Sequence, residues 1–155
     1  MSNKKIFVTG SSGFIGSHCI VDLLRHNYQV IGTIRDVSRE KALRKIFSKL
    51  KLNNDNVKFK KADLRDFEAV LFAMDGCDRI FHVASPVPII QPKTQYEISE
   101  ILKVATLGTL NVLKAARKLD IDRVILTSSI ATIYGTNEKE TKFNDTDWAD
   151  PENKK

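Results

Sequence analysis

The sequence predicts an α/β fold, a doubly wound parallel sheet, and three observations carry that prediction. Short apolar runs alternate with segments whose apolar residues recur every three or four positions, from residue 4 to residue 128. A glycine-rich turn, Thr9 to Gly16, joins the first run to the first such segment. The chain of 155 residues is 42% hydrophobic, with only seven glycines and four prolines, and so is long and apolar enough for one core. Alternation of the two periods is the pattern of βαβ units, and strands that are apolar on both faces belong to a sheet covered by helices on each side. Right-handed crossovers then place five strands in the order 3-2-1-4-5. Ligands of such a sheet bind beyond the carboxyl ends of the strands, where the order reverses between strands one and four.

Each element has its own signal. Residues 4–9 form a short apolar run ending at Thr9-Gly10, and residues 14–27 follow with Ile20, Leu23 and Leu24 at helical spacing. Residues 28–35 read as a second strand through Val30, Ile31 and Ile34, and 38–50 as a helix with Leu43, Ile46, Phe47 and Leu50 on one face. Asn53-Asn54-Asp55 breaks that helix, and a third strand at 57–61 leads to Asp63. Phe67, Val70, Leu71 and Met74 mark a short helix that Gly76 ends, because glycine takes a left-handed cap without steric cost. Strand four spans 78–84, and Pro86, Pro88 and Pro92 exclude regular helix just after it. A long helix fills 94–118, with Ile98, Ile101, Ala105, Gly108, Val112, Ala115 and Leu119 stepping by three and four, and strand five covers 122–128. Beyond Tyr134 the chain turns polar and acidic, so residues 1–135 form the folded unit and 136–155 a polar tail.

The formal net charge is +6, but the basic residues fall in interrupted groups such as Arg39-Glu40-Lys41 and Lys58-Phe59-Lys60-Lys61. No helix-turn-helix signature, zinc spacing or aromatic platform accompanies them, so nucleic acid is not an expected partner. A positive field still concentrates a small anionic ligand. Cys19 and Cys77 lie far apart and outside any Cys-x-x-Cys, and both are expected as buried small hydrophobes. Only Ile6 to Val8 follow Lys4-Lys5 as an apolar run, too few for a signal-peptide core, and no stretch approaches the roughly 18 apolar residues of a membrane span. A cytoplasmic location is the expectation.

Thr9-Gly10-Ser11-Ser12-Gly13-Phe14-Ile15-Gly16 sits where strand one turns into helix one, with its glycines three apart. Gly10 permits the bend, Gly13 lets backbone N–H groups approach a pyrophosphate, and Gly16 allows the helix to pack closely on the sheet. At the end of strand two a carboxylate would hold ribose hydroxyls and repel a 2′-phosphate, whereas an arginine pairs with that phosphate. Arg35 therefore favours NADP(H), with NAD(H) the alternative because Asp36 adjoins it; Arg39 or Lys41 can add a second positive group. Thr127-Ser128-Ser129 ends strand five at the ligand edge, where a hydroxyl can polarise a carbonyl and stabilise the alkoxide formed on hydride transfer. No histidine-backed nucleophile surrounds these serines, which argues against a hydrolase. His82 lies between Phe81 and Val83 and reads as a satisfied structural histidine, while the helix at 66–74 can be capped by Asp63 or Asp66.

Thr-Gly-x-x-Gly-Phe-Ile-Gly over residues 9–16 resembles the cofactor loop of the extended short-chain dehydrogenase/reductases, the NAD-dependent epimerase/dehydratase family. Asp63-Leu64, Phe81-His82-Val83-Ala84-Ser85-Pro86, Gly108-Thr109-Leu110-Asn111 and Leu126-Thr127-Ser128-Ser129 resemble further motifs of that superfamily, in order. Thr33-Ile34-Arg35-Asp36 and the His-Val-Ala-Ser-Pro stretch are most similar to its dihydroflavonol reductase, cinnamoyl-CoA reductase and yeast-type carbonyl reductase branch. The resemblance runs along essentially the whole chain but only the front half of a family member. It implies an oxidoreductase whose residues 1–135 are a Rossmann-type NAD(P)-binding domain. Gly10, Ser12, Gly13, Phe14, Ile15 and Gly16 would line the cofactor loop, with the Arg35-Asp36 pair going with NADP. Asp63 would accept from the adenine amino group beside the Leu64 backbone, and Val83, Ala84 and Ser85 would run along the ribose and nicotinamide. Thr127 or Ser128 would touch cofactor, and Ser129 would be the active-site serine.

The resemblance also implies a small carbonyl or alcohol substrate and a homodimer in a full-length form. The family's proton donor is a tyrosine followed four residues later by a lysine. Here Tyr28, Tyr96 and Tyr134 are followed at that spacing by Gly32, Glu100 and Glu138. In related proteins the missing pair comes soon after a segment like Trp148-Ala149-Asp150, so the expectation is a truncated chain that binds nucleotide weakly and turns over no substrate. One flank of strand five and part of the long helix should then be exposed and apolar. The rival readings are an NAD-dependent nucleotide-sugar epimerase or dehydratase, which Arg35 disfavours, and a non-catalytic nucleotide-binding module.

Overall fold

Ile6, Phe7 and Val8 are all buried, and the alternation of side chains along a strand sends them to opposite layers. Phe7 packs with Val70, Met74, Ile80 and Val112, whereas Ile6 and Val8 pack with Ile20, Leu24, Leu43 and Phe47. The computed structural model describes residues 4–87, 90–133 and 142–149. Its elements follow the chain as β1 (Lys5–Thr9), α1 (Phe14–Arg25), β2 (Gln29–Ile34), α2 (Arg39–Lys49), β3 (Val57–Lys61), α3 (Phe67–Met74), β4 (Arg79–His82), α4 (Gln95–Lys118) and β5 (Val124–Leu126). Single 3₁₀ turns fill Asn54–Asn56 and Ile130–Thr132. All strand pairs are parallel and the order is β3-β2-β1-β4-β5. Helices α1 and α2 contribute to one buried cluster and α3 and α4 to the other, so the sheet is covered on both faces as expected.

The helices end by one device. Asn27, Lys51, Gly76 and Asp120, each two residues past the last helical residue, take positive φ between 56° and 71°. After α1, α2 and α4 the next residue turns back: the N–H groups of Tyr28, Leu52 and Ile121 donate to the carbonyls of Leu23, Phe47 and Ala116 at 3.0, 2.9 and 2.9 Å. Those three side chains pack on the core, so an apolar anchor holds a left-handed residue that is glycine only after α3.

Several expectations are corrected. Strand four is Arg79–His82 rather than 78–84, and strand five is Val124–Leu126 rather than 122–128. Among the described residues the fifth strand has only β4 as partner, so its ladder ends where β4 ends, at His82 opposite Leu126. Asp66, not Asp63, caps α3 by accepting from the Ala69 N–H at 3.0 Å. Cys77 is buried, with its thiol pushed up to about 11 by desolvation, but Cys19 is only half-buried. No helix among the described residues is long and apolar enough to cross a membrane. Pro88, Tyr134, Glu138 and Asp150, and with them the proposed boundary at residue 135, lie outside the described residues. The apolar flank is present: Ile125 and Leu126 of β5 and Leu102, Leu107, Leu110 and Leu113 of α4 are exposed.

Candidate functional site

The glycine turn is built around one carbonyl. Gly10 has φ +68°, and a Cβ there would lie 2.9 Å from Ala84 Cα, so the position requires glycine on two counts. The Gly10 carbonyl then accepts from Gly13 N–H at 2.9 Å, a Cβ on Gly13 would stand 3.2 Å from that oxygen, and a Cβ on Gly16 would run into it. Spacing by three is thus explained: both later glycines clear the carbonyl of the first. Beneath the turn, buried Ser11 donates from its N–H to Thr33 O (3.2 Å) and from Oγ to Val8 O (2.9 Å). A Cβ at Gly32 would come within 2.5 Å of that Oγ.

Helix α1 starts from Gly13 with no side-chain cap and no acidic residue in its first turn, whereas α3 has Asp66 and α4 the capping box of Thr94 and Glu97. The N–H groups that open α1 therefore retain their positive potential for a ligand. Phe14 and Ile15 are exposed and Ser12 half-buried at this end. A cleft of about 260 Å³ between α1 and α2 is lined by Ser12, Gly13, Phe14, Arg39, Leu43 and Ile46 among others. A cleft of about 410 Å³ at the opposite edge of the sheet, bounded by Lys4, Asp78 and Arg123, is polar and far from the turn.

After β2, Arg35 and Asp36 are both exposed. Asp36 faces the start of α2: its Oδ1 accepts from Ser38 N–H at 2.9 Å, and hydrogen bonds from Ser38 hold its carboxyl below the usual range. After β3, Arg65 holds Asp63, with Nε 3.1 and 3.2 Å from the two oxygens and Nη2 2.7 Å from Oδ2; this pairing keeps the carboxyl low, aided by Arg35. Arg65 lies 3.8 Å from Glu100, which pairs with Lys103 at 2.8 Å. Leu64 is fixed from α4, where Asn111 Nδ2 donates to its carbonyl at 2.8 Å and Gly108 leaves room for its Cβ.

After β4, the buried Thr9 Oγ1 accepts from Val83 N–H and Ala84 N–H, each at 3.0 Å, and lies 2.7 Å from His82 Nδ1. His82 Nε2 is 3.0 Å from Thr109 Oγ1, and desolvation lowers the imidazole pKa. His82 is therefore a satisfied buried histidine, as expected. Ser85 is exposed beside this loop. After β5, Thr127 N–H donates to His82 O at 3.1 Å, and Ser128 Oγ lies 3.3 Å from Thr132 Oγ1. Ser129 Oγ accepts from Ala131 N–H at 3.2 Å, capping the 3₁₀ turn. Ala149 N–H donates to Thr132 O at 2.8 Å and brings the segment before Asp150 to the same end of the sheet. Tyr28 packs in the α1/α2 layer and Tyr96 is exposed at the start of α4.

The expected positions thus gather at the carboxyl edge of the sheet, in five loops. Sequence reasoning missed Thr9, Ser11, Gly32, Thr109 and Asn111 as supports of those loops. Gly32 carried a signal, since an isolated glycine inside a strand marks a close approach of other backbone or side-chain atoms.

A sheet of this order with a glycine turn at its switch point defines a dinucleotide-binding class of α/β domain. The profile of the NAD dependent epimerase/dehydratase family matches residues 6–154, and the chain belongs to that family. Among its relatives, tetraketide alpha-pyrone reductase 1 of Arabidopsis thaliana is 43% identical over 130 residues, covering 83% of this chain and 39% of that protein. Cinnamoyl-CoA reductase 1 of Petunia hybrida is 35% identical over 156 residues, 98% of this chain and 44% of that one. The crystal structure of Gre2 in complex with NADPH from Candida albicans superposes with a TM-score of 0.78 at 32% identity, covering 95% of this chain and 44% of that one. The chain therefore spans roughly two fifths of the length of the curated relatives it matches.

Proposed function

We propose that this domain binds NADP(H) as the cofactor half of a reductase that passes hydride between nicotinamide and an aldehyde, ketone or alcohol. The observation that carries this reading is the turn from Gly10 to Gly16, where three glycines fold around one carbonyl and leave the uncapped start of α1 facing the strand switch point. Gly10, Ser12, Gly13, Phe14, Ile15 and Gly16 would receive the diphosphate, and Arg35 the 2′-phosphate. Arg35, exposed at the end of β2, is the feature that supports NADP(H) over NAD(H) and works against an NAD-dependent epimerase. Asp63 and the Leu64 backbone would meet adenine; Val83, Ala84 and Ser85 would flank the nicotinamide ribose, with Thr127 and Ser128 on the far side. The bound dinucleotide supplies the hydride.

Ser129 is the catalytic residue of this reading. Its oxygen accepts from Ala131 N–H, which leaves the hydroxyl proton for a substrate oxygen that gains negative charge. None of the three tyrosines is followed at four residues by a lysine, so this chain alone lacks the expected donor of the final proton. A small carbonyl or alcohol is the proposed substrate, with a homodimer proposed for a longer form. Calorimetric titration tests the reading. Saturable binding of NADPH, tighter than NADH, with no carbonyl-dependent oxidation of NADPH, is expected; no saturable signal from folded protein with either coenzyme overturns it.

A further inference from the structure

We propose that His82 is a positioning residue, which orients the Thr9 hydroxyl so that it clamps the Val83 and Ala84 backbone against the glycine turn. The proposal rests on the nucleotide-binding reading above and adds to it the device that sets the width of the crevice.

The proton count allows one arrangement. A threonine hydroxyl has one proton and two lone pairs. Both lone pairs of Thr9 are taken by the N–H groups of Val83 and Ala84, so its proton must point at His82 Nδ1, 2.7 Å away. Nδ1 is then an acceptor, the ring is neutral, and its remaining proton sits on Nε2, where it donates to Thr109 Oγ1 at 3.0 Å. These four hydrogen bonds centre on Thr9 and His82, both buried.

The clamp has a mechanical consequence at Gly10. A Cβ there would stand 2.9 Å from Ala84 Cα, so the loop after β4 lies close against the turn. Ala84 can move away from the turn only by breaking the hydrogen bond its N–H donates to Thr9 Oγ1. The same turn of α4 that carries Thr109 also carries Gly108 and Asn111, which hold Leu64. One helical turn therefore supports the loops after β3 and β4, and His82 is its link to the second.

The test uses the intact 155-residue chain. Nitrogen-15 shifts of the His82 ring, measured without nucleotide, are expected to report a neutral ring protonated at Nε2; an Nδ1-protonated ring or a rapid tautomer mixture overturns the proposal. NADPH affinity is then compared across His82→Leu, His82→Asn, Thr9→Val and Thr9→Ser, with circular dichroism as the check on folding. Loss of the two N–H hydrogen bonds in Thr9→Val, and of the partner that orients the accepting hydroxyl in His82→Leu, is expected to weaken binding about tenfold in each. Thr9→Ser, which keeps the hydroxyl, and His82→Asn, whose amide oxygen can accept in place of Nδ1, should stay within about threefold. Wild-type affinity in folded Thr9→Val or folded His82→Leu, or equal losses in Thr9→Ser and Thr9→Val, overturns it. Should Thr9→Val or His82→Leu fail to fold, a tenfold loss in folded Thr9→Ser overturns it. Absence of NADPH binding by the wild-type chain defeats the functional reading instead, and the ring shifts still decide the His82 arrangement.

Discussion

Arg35 and Asp36 are neighbours of opposite charge, and their partners separate them. Asp36 turns one carboxylate oxygen to the Ser38 N–H, while exposed Arg35 offers this edge a cation able to meet a phosphate. Arg35→Ala is expected to weaken NADPH binding about tenfold and to leave NADH within about twofold, read by titration with each coenzyme. The arginine was legible in the sequence, but the hydrogen bond from Ser38 N–H to Asp36 was not, because it depends on a local turn that no charge pattern encodes. Thr9 was hidden for a different reason: its partners lie 73 to 75 residues away, and only the β1–β4 pairing brings them together. At His82 burial lowers the pKa from its ordinary 6.5, so the unfolded chain takes the proton more readily than the folded one. Stability held by the neutral ring is present above about pH 6.5 and lost as pH falls through the folded value. Melting temperatures should therefore fall between about pH 7 and pH 5, with a shallower decline in His82→Asn.

The helices α1, α2 and α4 were read to within two residues at each end, since their periodicity is set by faces that pack on the sheet, whereas strands four and five were read too long. The way the helices end was less legible. Gly76 announced the end of α3, but Asn27, Lys51 and Asp120 adopt the same left-handed backbone because Tyr28, Leu52 and Ile121 are drawn into the core just beyond. Lys51 is exposed at φ 57°, a region that costs a residue with a Cβ roughly 1 kcal/mol more than glycine. Lys51→Gly is accordingly expected to raise stability by a few tenths to about 1 kcal/mol in urea denaturation, after the entropy of the more flexible unfolded chain is subtracted. At the start of α1 the opposite holds. Gly16→Ala pushes a methyl group into the Gly10 carbonyl and should cost about 1–3 kcal/mol in the same measurement, because backbone on both sides must shift.

Across the molecule, strand order followed from right-handed crossovers together with helices on both faces of the sheet, so the position of the crevice was available before any contact was known. The exposed flank was legible as well, and among the described residues β5 pairs with β4 alone. Ile125 and Leu126 are about half exposed, and α4 presents Leu102, Leu107, Leu110 and Leu113 to solvent. An unpaired apolar edge invites contact between chains. Sedimentation velocity is expected to show association that increases with concentration, and Leu126→Lys combined with Leu113→Lys should shift the distribution towards monomer without altering the far-ultraviolet spectrum.

The shared carbonyl at Gly10 also makes the count of residues between it and the helix unforgiving. Each residue of an α-helix turns the chain by roughly 100°. Deleting one residue between Gly13 and Gly16 would rotate the leading N–H groups by that angle and swing a side chain into the Gly10 oxygen, so the loop tolerates exchange at Ser12 far better than any change of length.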